Sequence, residues 1–105
     1  MSAADLIQVG EGHFALQGPL DQASVPQLWR AHSERFKHGR ISLDLAKVSR
    51  CDSAGLALLL DWLALAKRSG GDVRFLAAPE QMLALSRVAD VDQLLNMGPA
   101  DQGDA

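Results

Sequence analysis

The stretch that most restricts how this chain can fold is Arg50–Gly71, RCDSAGLALLLDWLALAKRSGG. An ordinary surface helix confines its apolar residues to one stripe and gives its other face to water. Between Ala54 and Ala66 only Asp61 is charged, so this helix hardly has a polar face. The run is too short to span a bilayer, which takes about 20 apolar residues, so protein must cover it on several sides. Gly70 and Gly71 close it, because glycine takes the left-handed backbone of a helix end without a steric penalty. At about 100° per residue, Leu56, Leu59, Leu60, Leu63 and Ala66 fall in one broad arc that is expected to face a sheet. Leu58, Trp62 and Leu65 fall off it, with Ala54 and Ala57 nearby. Either neighbouring helices cover that side, or this group and Ser53 form a contact surface for a partner protein.

The flanking pattern supplies the sheet. LIQVG and HFALQG are strand candidates separated by Gly10-Glu11-Gly12, which predicts a hairpin. GPLDQ breaks the pattern before a helix over 23–37, whose stripe is Val25, Leu28, Trp29, His32 and Phe36. Trp29 lies at the edge of that stripe, as a core residue or as a second partner contact beside Ser53. ISLDL alternates as a third strand and VRFLA as a fourth; PEQMLALSRVA predicts a further helix with Pro79 in its first turn, and DVDQLL a last helical turn. The order β-β-α-β-α-β-α predicts one small α/β domain over residues 1–97, a mixed sheet of about four strands with helices mainly on one face. Residues 98–105 are expected to be a disordered tail.

Composition narrows the function classes. A formal charge of −3 and five aromatic residues argue against a nucleic-acid binder, and no Cys/His cluster has the spacing of metal ligands. No cofactor is expected. The lone Cys51 cannot form an internal disulfide, which suits a reducing compartment. MSAADLIQ carries no basic region of the kind that opens a secretory signal, so a soluble, cytoplasmic protein without direct membrane insertion is expected.

Ser53 is a natural helix N-cap, its hydroxyl accepting from a free backbone N–H. The same position would also tolerate a phosphoserine. As a nucleophile it lacks support: Cys51 occupies the first glycine position of a nucleophile elbow, and no His lies near in sequence, leaving His13, His32 or His38 to approach in space. Cys51 beside a helix start could be a reactive thiol, but an inert cysteine at a strand end is the simpler reading. Gly70-Gly71 lacks the spacing and the Lys-Ser/Thr of a phosphate loop. No catalytic activity is expected.

LDLAKVSRCDSAGLALLL resembles the signature of STAS domains, found in anti-sigma-factor antagonists and at the ends of sulphate transporters. In that family a strand bearing an Asp leads to Asp-Ser/Thr-x-Gly-Leu at the start of a helix. Asp52, Ser53, Gly55 and Leu56 match that motif and Asp44 matches the strand acid. The longer runs GPLDQASVPQLW and CDSAGLALLLDWLALAKRSGGDV resemble the branch of the family that serves phospholipid ABC transporters. That resemblance implies an accessory subunit peripheral to the inner membrane, bound to the transporter's ATPase subunit and through it to a permease, in a system preserving outer-membrane lipid asymmetry. It also implies docking around Ser53, with Ala54, Ala57, Leu58, Trp62, Leu65 and Trp29 as contact candidates. The antagonist branch implies an alternative, a switch set by phosphorylation of Ser53.

Overall fold

A hairpin opens the chain in the computed structural model, which describes residues 3–97. β1 (Asp5–Gly10) and β2 (His13–Leu20) pair antiparallel with Leu6 opposite Leu16, through a turn in which Gly12 has φ 71°. β3 (Arg40–Cys51) runs parallel to β2, and β4 (Asp72–Leu76) parallel to β3, giving the order β1-β2-β3-β4. Leu6, Phe14, Leu16, Ile41, Leu43, Leu45, Val73 and Phe75 point to one face and are buried. The helices cover that face: α1 (Val25–His32), α2 (Ser53–Arg68), α3 (Glu80–Val88) and α4 (Asp92–Leu95). This is the mixed α/β layer expected from the sequence. The tail expected over 98–105 lies outside the described residues.

β3 is longer than the alternation of 41–45 suggests. Two register shifts against β2, between Ala15 and Gln17 and between Gly18 and Pro19, each insert an extra residue into β3. The inserted residues break the period of two, so Ala46 and Lys47 are both exposed while the strand continues through buried Val48 and Cys51. The first helix is also corrected. The segment is α-helical only over Val25–His32 and tightens into a 3₁₀ turn over Ser33–Lys37. Leu28, His32 and Phe36 are buried as the stripe requires, and His32 Nε2 lies 3.2 Å from Asp5 Oδ1, tying α1 to the outer strand β1.

On α2 the buried residues are Gly55, Leu56, Leu58, Leu59, Trp62 and Ala66. The covered arc is therefore turned by roughly 60° from the one read off the wheel. Leu60 and Leu63, placed in that arc, are only half-buried, whereas Leu58 and Trp62 are fully buried. For Trp62 the reason is the 3₁₀ turn. Phe36 stacks on Trp62 with ring centroids 4.2 Å apart and planes 11° apart, and the Trp62 Nε1–H donates to Ser33 Oγ at 3.0 Å. The helix closes as expected: Gly70 has φ 85°, and the Gly71 and Gly70 N–H groups donate to the Ala66 and Lys67 carbonyls at 2.8 and 3.1 Å.

Candidate partner-docking site

At the finishing end of the parallel strands, Leu20 of β2 pairs with Cys51 of β3, and α2 begins two residues later. The cap of α2 is Asp52, not Ser53. Asp52 is still extended (φ −110°, ψ −174°), and its Oδ1 accepts the Gly55 N–H at 3.0 Å. A carboxylate three residues ahead of a free N–H reaches it directly, which leaves the Ser53 hydroxyl on the first helical turn and exposed. Asp52 Oδ2 accepts the Gln22 N–H at 3.1 Å, so one side chain joins the α2 start to the loop ahead of α1. That loop is held by Asp21, whose Oδ1 accepts the Ala23 and Ser24 N–H groups at 3.1 and 3.0 Å and whose Oδ2 lies 2.7 Å from Arg50 Nη2. A cleft of about 520 Å³ lies between this loop, the end of β3 and α3.

α3 reaches the same turn through one residue. Gln81 Oε1 accepts the Cys51 N–H at 3.0 Å, and Gln81 Nε2 donates to the Cys51 carbonyl at 2.8 Å. The amide thus imitates a further strand beside Cys51. Gln81→Met keeps the bulk and removes both bonds. It is expected to cost about 1–3 kcal/mol and to speed amide exchange at Cys51 and Gly55 beyond the change in global stability, measured by urea unfolding and hydrogen exchange. Nothing in a lone Gln on a helix face announces this role, and sequence reasoning missed it.

Cys51 is buried, and burial, followed by the charge of Asp52, pushes its thiol up to about 12 from 9.0. The thiolate fraction near neutrality is cut by roughly a thousandfold, so this thiol is inert as it stands. Iodoacetamide is expected to label the folded protein at least tenfold more slowly than the protein in concentrated guanidinium. Because the folded pKa is raised, this group's contribution to stability is whole below pH 9 and is lost as pH climbs towards about 12.

The structure separates the contact candidates into two groups. Ser53 and Ala57 are exposed and Ala54 and Leu65 half-buried, so these four can meet a partner. Leu58 and Trp62 cannot: at 1% and 0% exposure they belong to the core, and the neighbouring 3₁₀ turn covers Trp62. Trp29 is 39% exposed and so is not the core residue its spacing favours. Its stripe runs along the flank of α1, where only the inner positions are sealed. His13 opens β2 and His38 precedes β3, both at the opposite end of the sheet, and His32 is engaged with Asp5, so none of the three serves Ser53. Among the described residues no group of three or more His, Cys, Asp or Glu could hold a metal ion.

The α2 start is thus capped by Asp52, led by an exposed Ser53 and pressed on the sheet through Gly55. The family model described as "Mlab, STAS domain" matches residues 6–96. The chain belongs to the MlaB-type STAS domain family. Two curated relatives agree: the intermembrane phospholipid transport system binding protein MlaB of Escherichia coli (strain K12) and that of Shigella flexneri. Each is 39% identical over 75 residues, covering 71% of this chain and 76% of the relative. Among solved structures, the anti-sigma factor antagonist SpoIIAA in its unphosphorylated form superposes with a TM-score of 0.73 at 19% identity, over 95% of this chain and 90% of that one. The protein TM1081 superposes at 0.60 and 15% identity, over 88% and 78%. These two likenesses show the STAS fold. In this STAS domain Asp52 and Gly55 keep the helix start in place, and the side chain left outward is Ser53.

Proposed function

We propose that this protein is an accessory subunit of a phospholipid transport system of the ABC type, and that it docks on the system's ATPase subunit through the Ser53 end of α2. The observation that carries the reading is the 39% identity, over most of both chains, to proteins named for binding within an intermembrane phospholipid transport system. The geometry supports it. Ser53 and Ala57 are small and exposed and Ala54 is half-buried on the first two turns, Ala23 is exposed across the cleft, and these side chains together permit close approach of a second protein. Among the described residues no helix is long and apolar enough to cross a membrane; in this reading the membrane is reached through the partner, on its cytoplasmic side. Catalysis plays no part in this reading. The copy number that fits a dimeric transporter is one on each ATPase subunit.

The test is affinity purification of the tagged protein from detergent-solubilised native membranes, with mass spectrometry of what is recovered. An ABC ATPase with its permease, and Ser53 unmodified, is the expected result. Ser53→Ala is expected to change recovery less than about threefold, because a small residue still fits. Ser53→Arg and Ala57→Arg are expected to reduce it at least a hundredfold while leaving the fold intact, since both positions are exposed. Recovery of a soluble kinase with phosphorylated Ser53, and no transporter, would replace this reading with a phospho-switch. The exposed hydroxyl is open to modification, although a phosphate there would sit beside the carboxylate of Asp52.

A further inference from the structure

The direction in which the chain leaves β3 decides where Ser53 points, and that direction is held from two sides. On the β2 side, the Asp52 N–H donates to the Leu20 carbonyl at 3.2 Å. On the other side β4 gives no help, because it pairs with β3 only from Arg40 to Asp44. There the backbone of Cys51 is met by a side chain of α3, with Gln81 Oε1 accepting the Cys51 N–H at 3.0 Å and Gln81 Nε2 donating to the Cys51 carbonyl at 2.8 Å. One bond would leave the strand end free to pivot. Two parallel bonds to one planar amide fix its rotation as well as its position. Asp52 follows at once and carries both the Gly55 N–H and the Gln22 N–H, so any pivot at Cys51 is passed to the start of α2 and to the loop ahead of α1.

We infer that Gln81 is a positioning residue for docking: acting from α3, it holds the end of β3 at the angle that presents Ser53 and Ala57 to the partner. The inference rests on the docking reading, and it adds a requirement outside the Asp52-Ser53-x-Gly55-Leu56 motif. The requirement is chemical, one donor and one acceptor side by side. Methionine supplies neither. An ionised carboxylate supplies only acceptors and sets a lone pair against the Cys51 carbonyl, whereas a protonated carboxyl again offers one donor and one acceptor. Gln81 is itself exposed at the cleft, so direct contact with the partner is the competing account. That account predicts no change at Ser53 in the free protein.

The test compares wild type, Gln81→Met and Gln81→Glu in binding to the ABC ATPase recovered by the affinity purification, and follows the same three proteins alone by amide chemical shifts. Both variants are expected to bind about tenfold more weakly than wild type at about pH 7.5, where a carboxyl with the ordinary glutamate pKa of about 4.3 is ionised. Lowering the pH to about 5 neutralises part of the introduced carboxyl. Of the charged groups around it, Asp21, Asp52 and Glu80 disfavour ionisation and so assist this, while Arg50 is held on Asp21 at 2.7 Å. Relative to wild type at the same pH, the Gln81→Glu deficit should then narrow to about threefold, while that of Gln81→Met stays near tenfold. In the free protein the amide signals of Cys51, Ser53 and Gly55 should move in both variants and return towards wild type only in Gln81→Glu at the lower pH. Circular dichroism checks that each variant is folded under the conditions of the titration. Equal binding by all three proteins overturns the inference, and so does a Gln81→Glu deficit that ignores pH. A loss of binding with the Ser53 signals unmoved overturns it as well, and marks Gln81 as a direct contact. These three outcomes leave the docking reading standing. If the wild-type protein recovers no ATPase, the docking reading itself falls and takes this inference with it.

Discussion

Gly55→Ala is expected to cost about 3–4 kcal/mol, the sum of an overpacked contact and a lost cap. A Cβ at this position would stand 2.3 Å from the Leu20 carbonyl oxygen, 2.8 Å from Leu20 Cγ and 2.9 Å from Cys51 Sγ. The nearest of these atoms is backbone inside the β2–β3 pairing and cannot turn aside as a side chain can. α2 must therefore lift away, and lifting it stretches the 3.0 Å bond from the Gly55 N–H to Asp52 and loosens the Asp52 hold on Gln22. The measurement is the urea unfolding midpoint, with Ala57→Gly as the comparison at an exposed site on the same helix, where a loss of about 1 kcal/mol reflects helix propensity alone. A Gly55→Ala loss no larger than that of Ala57→Gly would show that the helix does not touch the sheet at this point. Binding to the partner should weaken with the fold, so the motif glycine is read as a packing requirement and the motif serine as the group presented outward.

The second large effect is expected at Trp62. Trp62→Ala should destabilise by about 3–5 kcal/mol, a large share of the stability of a domain this size. The substitution removes the ring stacked on Phe36, opens the layer through which Phe36 reaches Phe14 at 6.4 Å, and leaves the Ser33 hydroxyl without its donor. Trp62→Phe keeps a ring and should cost about 1–2 kcal/mol, the difference measuring the indole N–H bond and the lost volume. Fluorescence separates the two tryptophans: Trp62 is fully buried and Trp29 is 39% exposed, so the blue-shifted emission should vanish in Trp62→Phe and survive in Trp29→Phe. If Trp62→Ala instead abolished partner binding at unchanged stability, its assignment to the core would be wrong. For the same reason Leu58→Glu cannot report on docking, since a carboxylate placed in the core unfolds the domain before any interface is tested.

Element order was legible in the sequence because alternation, turn glycines and the Gly70-Gly71 stop are local signals. The Asp52-Ser53-x-Gly55-Leu56 motif likewise marked the start of α2. What could not be read were decisions made by tertiary contact. On an apolar helix the wheel has no polar face to fix its phase, and only the 3₁₀ turn carrying Phe36 and Ser33 determines that Trp62 goes inward. The bulges of β3 hide its second half, because Ala46 and Lys47 follow one another on the exposed side. The role of Gln81 depends on α3 arriving beside Cys51, a meeting of residues 30 apart in the chain that composition does not foreshadow. Asp52 rather than Ser53 caps α2 because both are good caps and the strand's exit angle chooses between them.

That separation of about 30 recurs around the start and middle of α2. Gln22 to Asp52 and Gln81 to Cys51 each join residues 30 apart, and Arg50 to Asp21 and Trp62 to Ser33 join residues 29 apart. Contacts of this range form only after long loops have closed, so they belong to the late, slow stage of chain assembly, whereas the β1–β2 hairpin can form early. A partially folded copy would therefore lack the surface a partner recognises, even with most of its secondary structure in place. Under the proposed docking, recognition at this end would act as a proofreading step, leaving an incomplete copy outside the complex and incorporating a finished one.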